Sequence, residues 1–337
     1  MPEHLGRTLS AMADAGIDAL ILGRTGNIRF VSGAEQLALA GTRPFAPACV
    51  VVRSTGRVHL LSTTDSGVPG DIPHEQLYAM SWNPMTIAGT VAAVPGLAEA
   101  SVIGVDGTTP MMEALLGGVL PDADLVDGET LLRAVRRPKS ATDLDHLRRA
   151  CGVAEACLDA VAEAVAAGIS ERALLGRFDA RMGQLGVTTP AFDALTGVAC
   201  AVPRAIVADR VLRTGDLVHL RGGVLVDGWE GVLARTRVVD DPDGPQLAAA
   251  ARAGAALGEA VAACRPGEVV GELRGRTEVT ALEGVGLGHE ELADDDTLAP
   301  ADVVYVEVLV DQVLLGDVVH VADDGPQLLT TAPITIA

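Results

Sequence analysis

The chain has 337 residues, enough for two domains of ordinary size with substantial cores. Its 45 acidic and 25 basic residues give a formal net charge of −20, a balance that repels nucleic-acid phosphates and anionic membranes and suits basic partners. No apolar run approaches bilayer length and the polar, helix-like N-terminus is unlike a signal peptide, so the expectation is a cytoplasmic protein. Aromatic residues make up 2% of the chain, which leaves Val, Leu and Ala to fill the interior. Cys49, Cys151, Cys157, Cys200 and Cys264 form no C-x-x-C pair and read as buried thiols. Lys139 is the one lysine, so the cationic surface is almost all arginine.

In chain order, residues 9–15 form an amphipathic pattern closed by Gly16, and residues 17–22 a short apolar strand. Residues 47–53 and 57–62 read as a hairpin around Ser54-Thr55-Gly56. Residues 91–100 are expected as helix, 101–105 as strand and 111–120 as helix, which together predict an α/β layer domain. Pro138 interrupts the pattern, and Ser140 to Asp143 can cap a helix over residues 141–167. A second helix is expected over 170–185. Strands then dominate, apart from a helix over 245–264 introduced by the polar turn at Asp240 to Pro245. The two domains are placed at 1–136 and 137–337.

The stretch from 215 to 236 carries the chemistry: Gly215-Asp216, His219, Arg221, Asp227-Gly228-Trp229-Glu230, Val232 and Arg235-Thr236. It resembles the hairpin that bears two metal-bridging aspartates in the pita-bread family of methionine aminopeptidases, Xaa-Pro peptidases, prolidases and creatinase. Gly16-Ile17-Asp18-Ala19-Leu20, Asn27-Ile28-Arg29-Phe30, Arg43-Pro44 and Ile103-Gly104-Val105-Asp106 are similar to the smaller N-terminal domain of Xaa-Pro peptidases and creatinase. The run from Arg136 to Arg149 is similar to the family's linker and first helix. The resemblance implies an N-terminal creatinase-like α/β domain followed by a C-terminal pita-bread domain, an α/β (α+β) chain overall. It also implies a homodimer.

Against the family pattern the two aspartate positions hold Arg221 and Val232, and the loop histidine after a proline is matched by Arg204. The position of the metal-binding histidine holds Glu283, and His289-Glu290 matches a family pair whose histidine helps to hold substrate. Glu307 stands where the family has a ligand glutamate, whereas Gly316, before Asp317, stands where it has the last one. A two-metal hydrolase needs several carboxylates to hold and offset its cations. Arg221 offers no lone pair, and Val232 and Gly316 offer no ligand atom. The expectation is therefore no resident metal and no cofactor.

A carboxylate among the apolar residues 303–310 needs a counter-ion, and Arg221 is the expected one. That pair either marks a pocket or only stabilises the sheet. Strand alternation puts His219 with Arg221, Glu230 with Val232, Tyr305 with Glu307, and Gly316 with His320. His219, His289 and His320 are thus expected to border one cavity with Arg204, Arg221, Glu283 and Glu307, or each to be satisfied separately. No H-x-x-x-H spacing supports a new mononuclear metal site. Trp229, where the family has tyrosine, is expected at the pocket wall, and Arg235 as a substrate contact or a structural ion pair.

The expected function is a metal-free pocket for a small carboxylate-bearing, peptide-like or amino-acid-like ligand. Arg204, Arg221, His289, Arg235, Trp229 and His320 are the candidate binding residues, and Glu307, Glu283, His289 and His219 the candidate acid/base groups. Two alternatives remain open. One is a metal-independent enzyme acting on C–N bonds or by other acid/base chemistry; the other is a non-catalytic interaction module with an acidic surface.

Overall fold

The computed structural model describes residues 2–35, 47–62, 64–191, 198–200 and 209–336. They fall into two compact units, Met1–Arg136 and Arg137–Ala337. Arg43 and Pro44 lie outside the described residues.

In the first unit, α1 (Pro2–Asp14), β1 (Ala19–Leu22) and α2 (Thr25–Ser32) precede the hairpin of β2 (Cys49–Val52) and β3 (Arg57–Leu61). β4 (Leu77–Tyr78), α3 (Pro84–Ala92), β5 (Val102–Val105), α4 (Pro110–Val119), β6 (Asp124–Asp127) and α5 (Glu129–Arg136) follow. The six strands run in the order β4-β3-β2-β1-β5-β6, with β1–β5 and β5–β6 parallel and β1–β2–β3 antiparallel. Ile21, Val50, Val52, Ile87, Val91, Ile103 and Leu116 form the core between this sheet and the helices.

The helix expected over 91–100 lies earlier, at Pro84–Ala92. Asn83 caps it by accepting the Met85 N–H, Pro84 occupies the first turn, and Pro95-Gly96 ends any helical run, Gly96 having φ +86°. Helices α2 and α5 were not apparent from periodicity. At the start of α2 a long-range contact takes the place of a side-chain cap, Asp106 accepting from the Gly23 and Arg24 N–H groups, whereas α5 is opened locally by Asp127, which accepts from the Glu129 and Thr130 N–H groups.

The second unit begins with α6 (Ala141–Ala162), opened by a capping box between Ser140 and Asp143 and ending short of the expected 167. α7 (Glu171–Gln184), β7 (Val198–Cys200), β8 (Leu217–Val226), β9 (Trp229–Val238), α8 (Gly244–Ala262), α9 (Val270–Arg274), β10 (Val279–Gly286), β11 (Gly288–Glu290), β12 (Val303–Val310), β13 (Val313–Ala322) and β14 (Gly325–Leu328) complete it. The sheet is ordered β11-β10-β12-β13-β9-β8-β7, with β14 paired to β13. Two-residue turns with left-handed backbone join β8 to β9, at Asp227-Gly228, and β12 to β13, at Asp311-Gln312.

All long helices of this unit pack on one face of the sheet. Ala253, Leu257 and Ala260 of α8 meet Val304, Val306, Val308, Leu315 and Val319. α6 lies so close to β9 that a Cβ on Gly231 would collide with the Ala150 backbone. Burial of each such aliphatic side chain contributes about 1.5–3 kcal/mol. The alternate residues, among them Arg221, Val232, Tyr305, Glu307 and Gly316, are left facing away from the helices. No helix among the described residues is long and apolar enough to cross a membrane.

Candidate functional site

The helix-free face of the second sheet holds one row of paired residues running across five strands. Ala281 of β10 pairs with Glu307, Glu307 with Gly316, Gly316 with Ala234, and Ala234 with Arg221. Arg221 and Glu307 are thus three inter-strand spacings apart, about 14 Å. Between them the row contains a glycine and an alanine, so the two long side chains can lean toward each other over an open floor. The Arg221 Nε lies 2.9 Å from Glu307 Oε2. The contact is an ion pair rather than a linear hydrogen bond through that N–H.

Tyr305, two residues before Glu307 on β12, completes the cluster. Its hydroxyl donates to Glu307 Oε2 at 2.7 Å, and the Arg221 Cζ stands 5.6 Å from its ring centroid. Thr280 donates its hydroxyl to Glu307 Oε1 at 2.9 Å. A Cβ on Gly316 would overlap the Tyr305 hydroxyl, so this ring fills the space above the bare position. Burial, reinforced by the neighbouring Glu307 charge, holds the Tyr305 phenol well above its ordinary pKa, so it remains a donor. Burial also opposes the Arg221 charge, but Tyr305 and Glu307 outweigh it and the guanidinium is held more firmly protonated than usual. Glu283, the lateral neighbour of Tyr305, adds to the field on Arg221.

His219 shares the Arg221 face and pairs laterally with Thr236. Its Nε2 donates to the Gln312 carbonyl at 2.8 Å, which fixes the tautomer with Nδ1 as the unprotonated nitrogen. That Nδ1 is buried and has no hydrogen-bond partner among the described residues. Burial lowers the His219 pKa, against the raising effects of the Gln312 bond and the Glu307 charge.

The remaining candidates do not join this cluster. Trp229 is not at the pocket wall: alternation puts it on the helix face, where it stacks on His146 of α6 at 5.5 Å between ring centroids. Arg235 is also on the helix face, as a structural pair; its Nη2 donates to Asp317 at 2.7 Å, and its other donors reach the carbonyls of Ala234, Gly316 and Ala332. His320 shares the Gly316 alternation but lies four residues further along β13, paired with Val303 and Gln327. Arg204 lies outside the described residues, and of His289 only the backbone, in β11, is described. Its neighbour Glu290 pairs with Lys139 at 2.7 Å, an ion pair buried at both ends, and a side chain on Gly286 would obstruct it.

Tyr305, Thr280 and the Lys139–Glu290 pair were not singled out as site or structural partners from the sequence. The combination of a bare glycine at 316 with a tyrosine on the adjacent strand was the signal that could have found the first. Among the described residues no group of three or more His, Cys, Asp or Glu side chains is arranged to hold a metal ion.

The family model for the Creatinase/Prolidase N-terminal domain matches residues 5–137, and that for metallopeptidase family M24 matches residues 145–308. The chain belongs to the Xaa-Pro peptidase family of pita-bread proteins. The fold expected from sequence, a creatinase-like α/β domain followed by a pita-bread domain, is the one observed. An Xaa-Pro dipeptidase from Pyrococcus horikoshii is 24% identical over 281 residues, which span 81% of this chain and 74% of that protein. Among solved structures, an Xaa-Pro dipeptidase from Bacillus anthracis superposes with a TM-score of 0.80 at 20% identity, covering 99% of this chain and 98% of that one. An X-Pro aminopeptidase from Thermotoga maritima superposes with a TM-score of 0.81 at 16% identity, covering 98% of each chain. At such identities the superpositions establish the shared fold. The family's chemistry has to be judged on this chain's own residues.

Proposed function

We propose that this chain is a metal-independent member of the Xaa-Pro peptidase family, whose pocket binds a small carboxylate-bearing, peptide-like or amino-acid-like ligand. The observation that carries this reading is the Arg221 guanidinium seated 2.9 Å from Glu307, with Tyr305 packed over Gly316. The residues present do not fit a pair of divalent cations. Two metal ions need several anionic ligands around a shared water. Here a permanent cation projects from one expected ligand position, and valine occupies another. Tyr305 takes up the space above a third. Glu307 is already committed to Arg221, Tyr305 and Thr280.

What the cluster can do is recognise charge. A guanidinium backed by a carboxylate on one side can offer donors to a ligand carboxylate on another. The aromatic ring supplies an apolar wall beside it. Arg204, His289 and Glu283 are proposed to complete the pocket. A cytoplasmic homodimer is the proposed setting.

A second reading, metal-independent acid/base catalysis on an amino-acid-derived substrate, is favoured by one specific feature. His219 Nδ1 is buried with no hydrogen-bond partner among the described residues, on the same face as Arg221 and in the tautomer that can accept a proton. Two measurements test these readings. Elemental analysis of the purified protein, with dipeptide hydrolysis assayed in added manganese, cobalt or zinc, is expected to give substoichiometric metal and no turnover. Stoichiometric metal together with dipeptidase activity would overturn the metal-free reading. A thermal-shift screen separates the classes: stabilisation by small carboxylic acids supports the pocket, whereas stabilisation by basic proteins alone supports an interaction module.

A further inference from the structure

Residues 330–336 follow β14, form no regular secondary structure, and cross the helix face of the second sheet beside α6. Among the described residues, the backbone of this stretch is bonded to the sheet backbone only at its ends. The Leu329 N–H donates to the Val318 carbonyl, and the Val238 N–H donates to the Ile336 carbonyl, each at 2.8 Å. Leu329, Thr330 and Ile336 are buried, whereas Thr331, Pro333 and Ile334 between them are exposed. Three charged side chains hold the middle. Glu155 of α6 accepts from the N–H groups of Thr331 and Ala332, the second at 2.8 Å, and from the Thr331 hydroxyl at 2.9 Å. Arg235 donates to the Ala332 carbonyl at 2.8 Å and to the Pro333 carbonyl at 3.3 Å, and Arg237 donates to the Thr335 carbonyl. Leu158, Leu220 and Leu233 give the groove beneath an apolar floor.

We propose that this groove between α6 and β9 is a binding site for an extended peptide, filled in cis by residues 330–336 and open to the same segment of a second copy. Apart from the hydroxyl bonds of Thr330 and Thr331, the contacts are to main-chain atoms that every peptide carries. A carboxylate on successive N–H groups and guanidinium groups on carbonyls are charge-assisted bonds, roughly twice as strong as neutral ones. They demand an extended backbone more than a sequence, as in other recognition through main-chain hydrogen bonds. The exposed middle of the segment adds little apolar burial, so its opening costs less than unfolding the sheet. Exchange with an identical segment restores every bond that opening breaks. The inference concerns the helix face and does not depend on the function of the Arg221 cluster.

The test uses the full chain and, as the probe, a fluorescent synthetic peptide with the sequence of residues 329–336. Ile336→Asp removes the buried far anchor of the segment and keeps Glu155, Arg235 and Arg237. The peptide is expected to bind this variant saturably, and wild type about tenfold more weakly because the groove is already filled. Methylation of the peptide nitrogens that correspond to Thr331 and Ala332 removes the donors to Glu155 and should raise Kd on the variant about tenfold or more. Amide hydrogen exchange gives a second measurement, which decides the question even where Ile336→Asp does not fold. In wild type, Thr331 and Ala332 are expected to exchange about 100-fold or more faster than Val306 in the core. Glu155→Ala should speed them about tenfold further, Glu155→Gln less, with Val306 unchanged in both. The proposal is overturned if the folded variant does not bind the peptide, or binds the methylated peptide as tightly. It is equally overturned if Thr331 and Ala332 exchange no faster than Val306, or if Glu155→Ala leaves their exchange unchanged.

Discussion

Tyr305 and Gly316 lie on adjacent strands, and the tyrosine hydroxyl fills the volume that any side chain at 316 would need. The tyrosine cannot yield freely, because its ring is fully buried and its hydroxyl is bonded to Glu307. Gly316→Ala is therefore expected to destabilise the protein by about 1–3 kcal/mol, the usual cost of overpacking. In the background of Tyr305→Leu the same substitution should cost less. Urea unfolding of the four proteins of this double-mutant cycle measures the coupling. Additive effects would show that the ring does not hold this space.

Arg221 and Glu307 are expected to be unequal to their separate removal. Arg221→Met leaves a carboxylate that is 9% exposed facing Tyr305 and Thr280 without its cation, and should cost about 3–5 kcal/mol. Changing Glu307→Gln as well removes the stranded charge, so the double variant should recover part of that loss. Equilibrium unfolding measures this. Under the proposed function, Arg221→Met also weakens any carboxylate ligand found by thermal shift, and Glu307→Gln weakens it less.

The sequence carried the fold well and the pocket unevenly, for physical reasons visible in particular residues. Period-two alternation sets Arg221, Tyr305 and Glu307 on one face once the strands are placed, and Asp227-Gly228 announces the hairpin between β8 and β9. Alternation also separates Trp229 and Arg235 from Arg221, since odd positions of β9 face the helices while odd positions of β8 face away from them. Along the motif as a linear string they lie beside the pocket residues, and only the strand-by-strand alternation separates them. The partners of Glu307 could not be read from spacing. Thr280 is 27 residues away and meets it only through the β10–β12 register, which carries an irregularity between Val279 and Ala281.

Arg235 gives a control for the site. Its guanidinium is buried with Asp317, whose carboxyl is pushed up by burial even though Arg235 and Thr330 stabilise its charge. Arg235→Ala should cost about 3–5 kcal/mol in unfolding experiments, because Asp317 is left buried and unpaired. Lying on the helix face, it should not change the affinity of a ligand held by Arg221 in protein that remains folded. A selective loss of affinity with unchanged stability would return Arg235 to the pocket.

The pH dependence of stability should carry a signature of His219. Its pKa in the folded protein is lowered from about 6.5, chiefly by burial, so the folded state resists a proton that the unfolded chain accepts. The stabilisation due to the neutral imidazole is full above about pH 6.5 and is lost as pH falls toward and through the folded value. His219→Gln keeps a side chain able to donate to the Gln312 carbonyl but cannot titrate. The difference in unfolding free energy between wild type and His219→Gln, measured from pH 8 down to pH 5, should therefore be constant at the alkaline end and shrink toward the acidic end. Because both proteins contain the same carboxylates, their general acid sensitivity cancels in the difference. A difference that grew on acidification would mean that the folded state favours the imidazolium, and that the Glu307 charge outweighs burial at this residue.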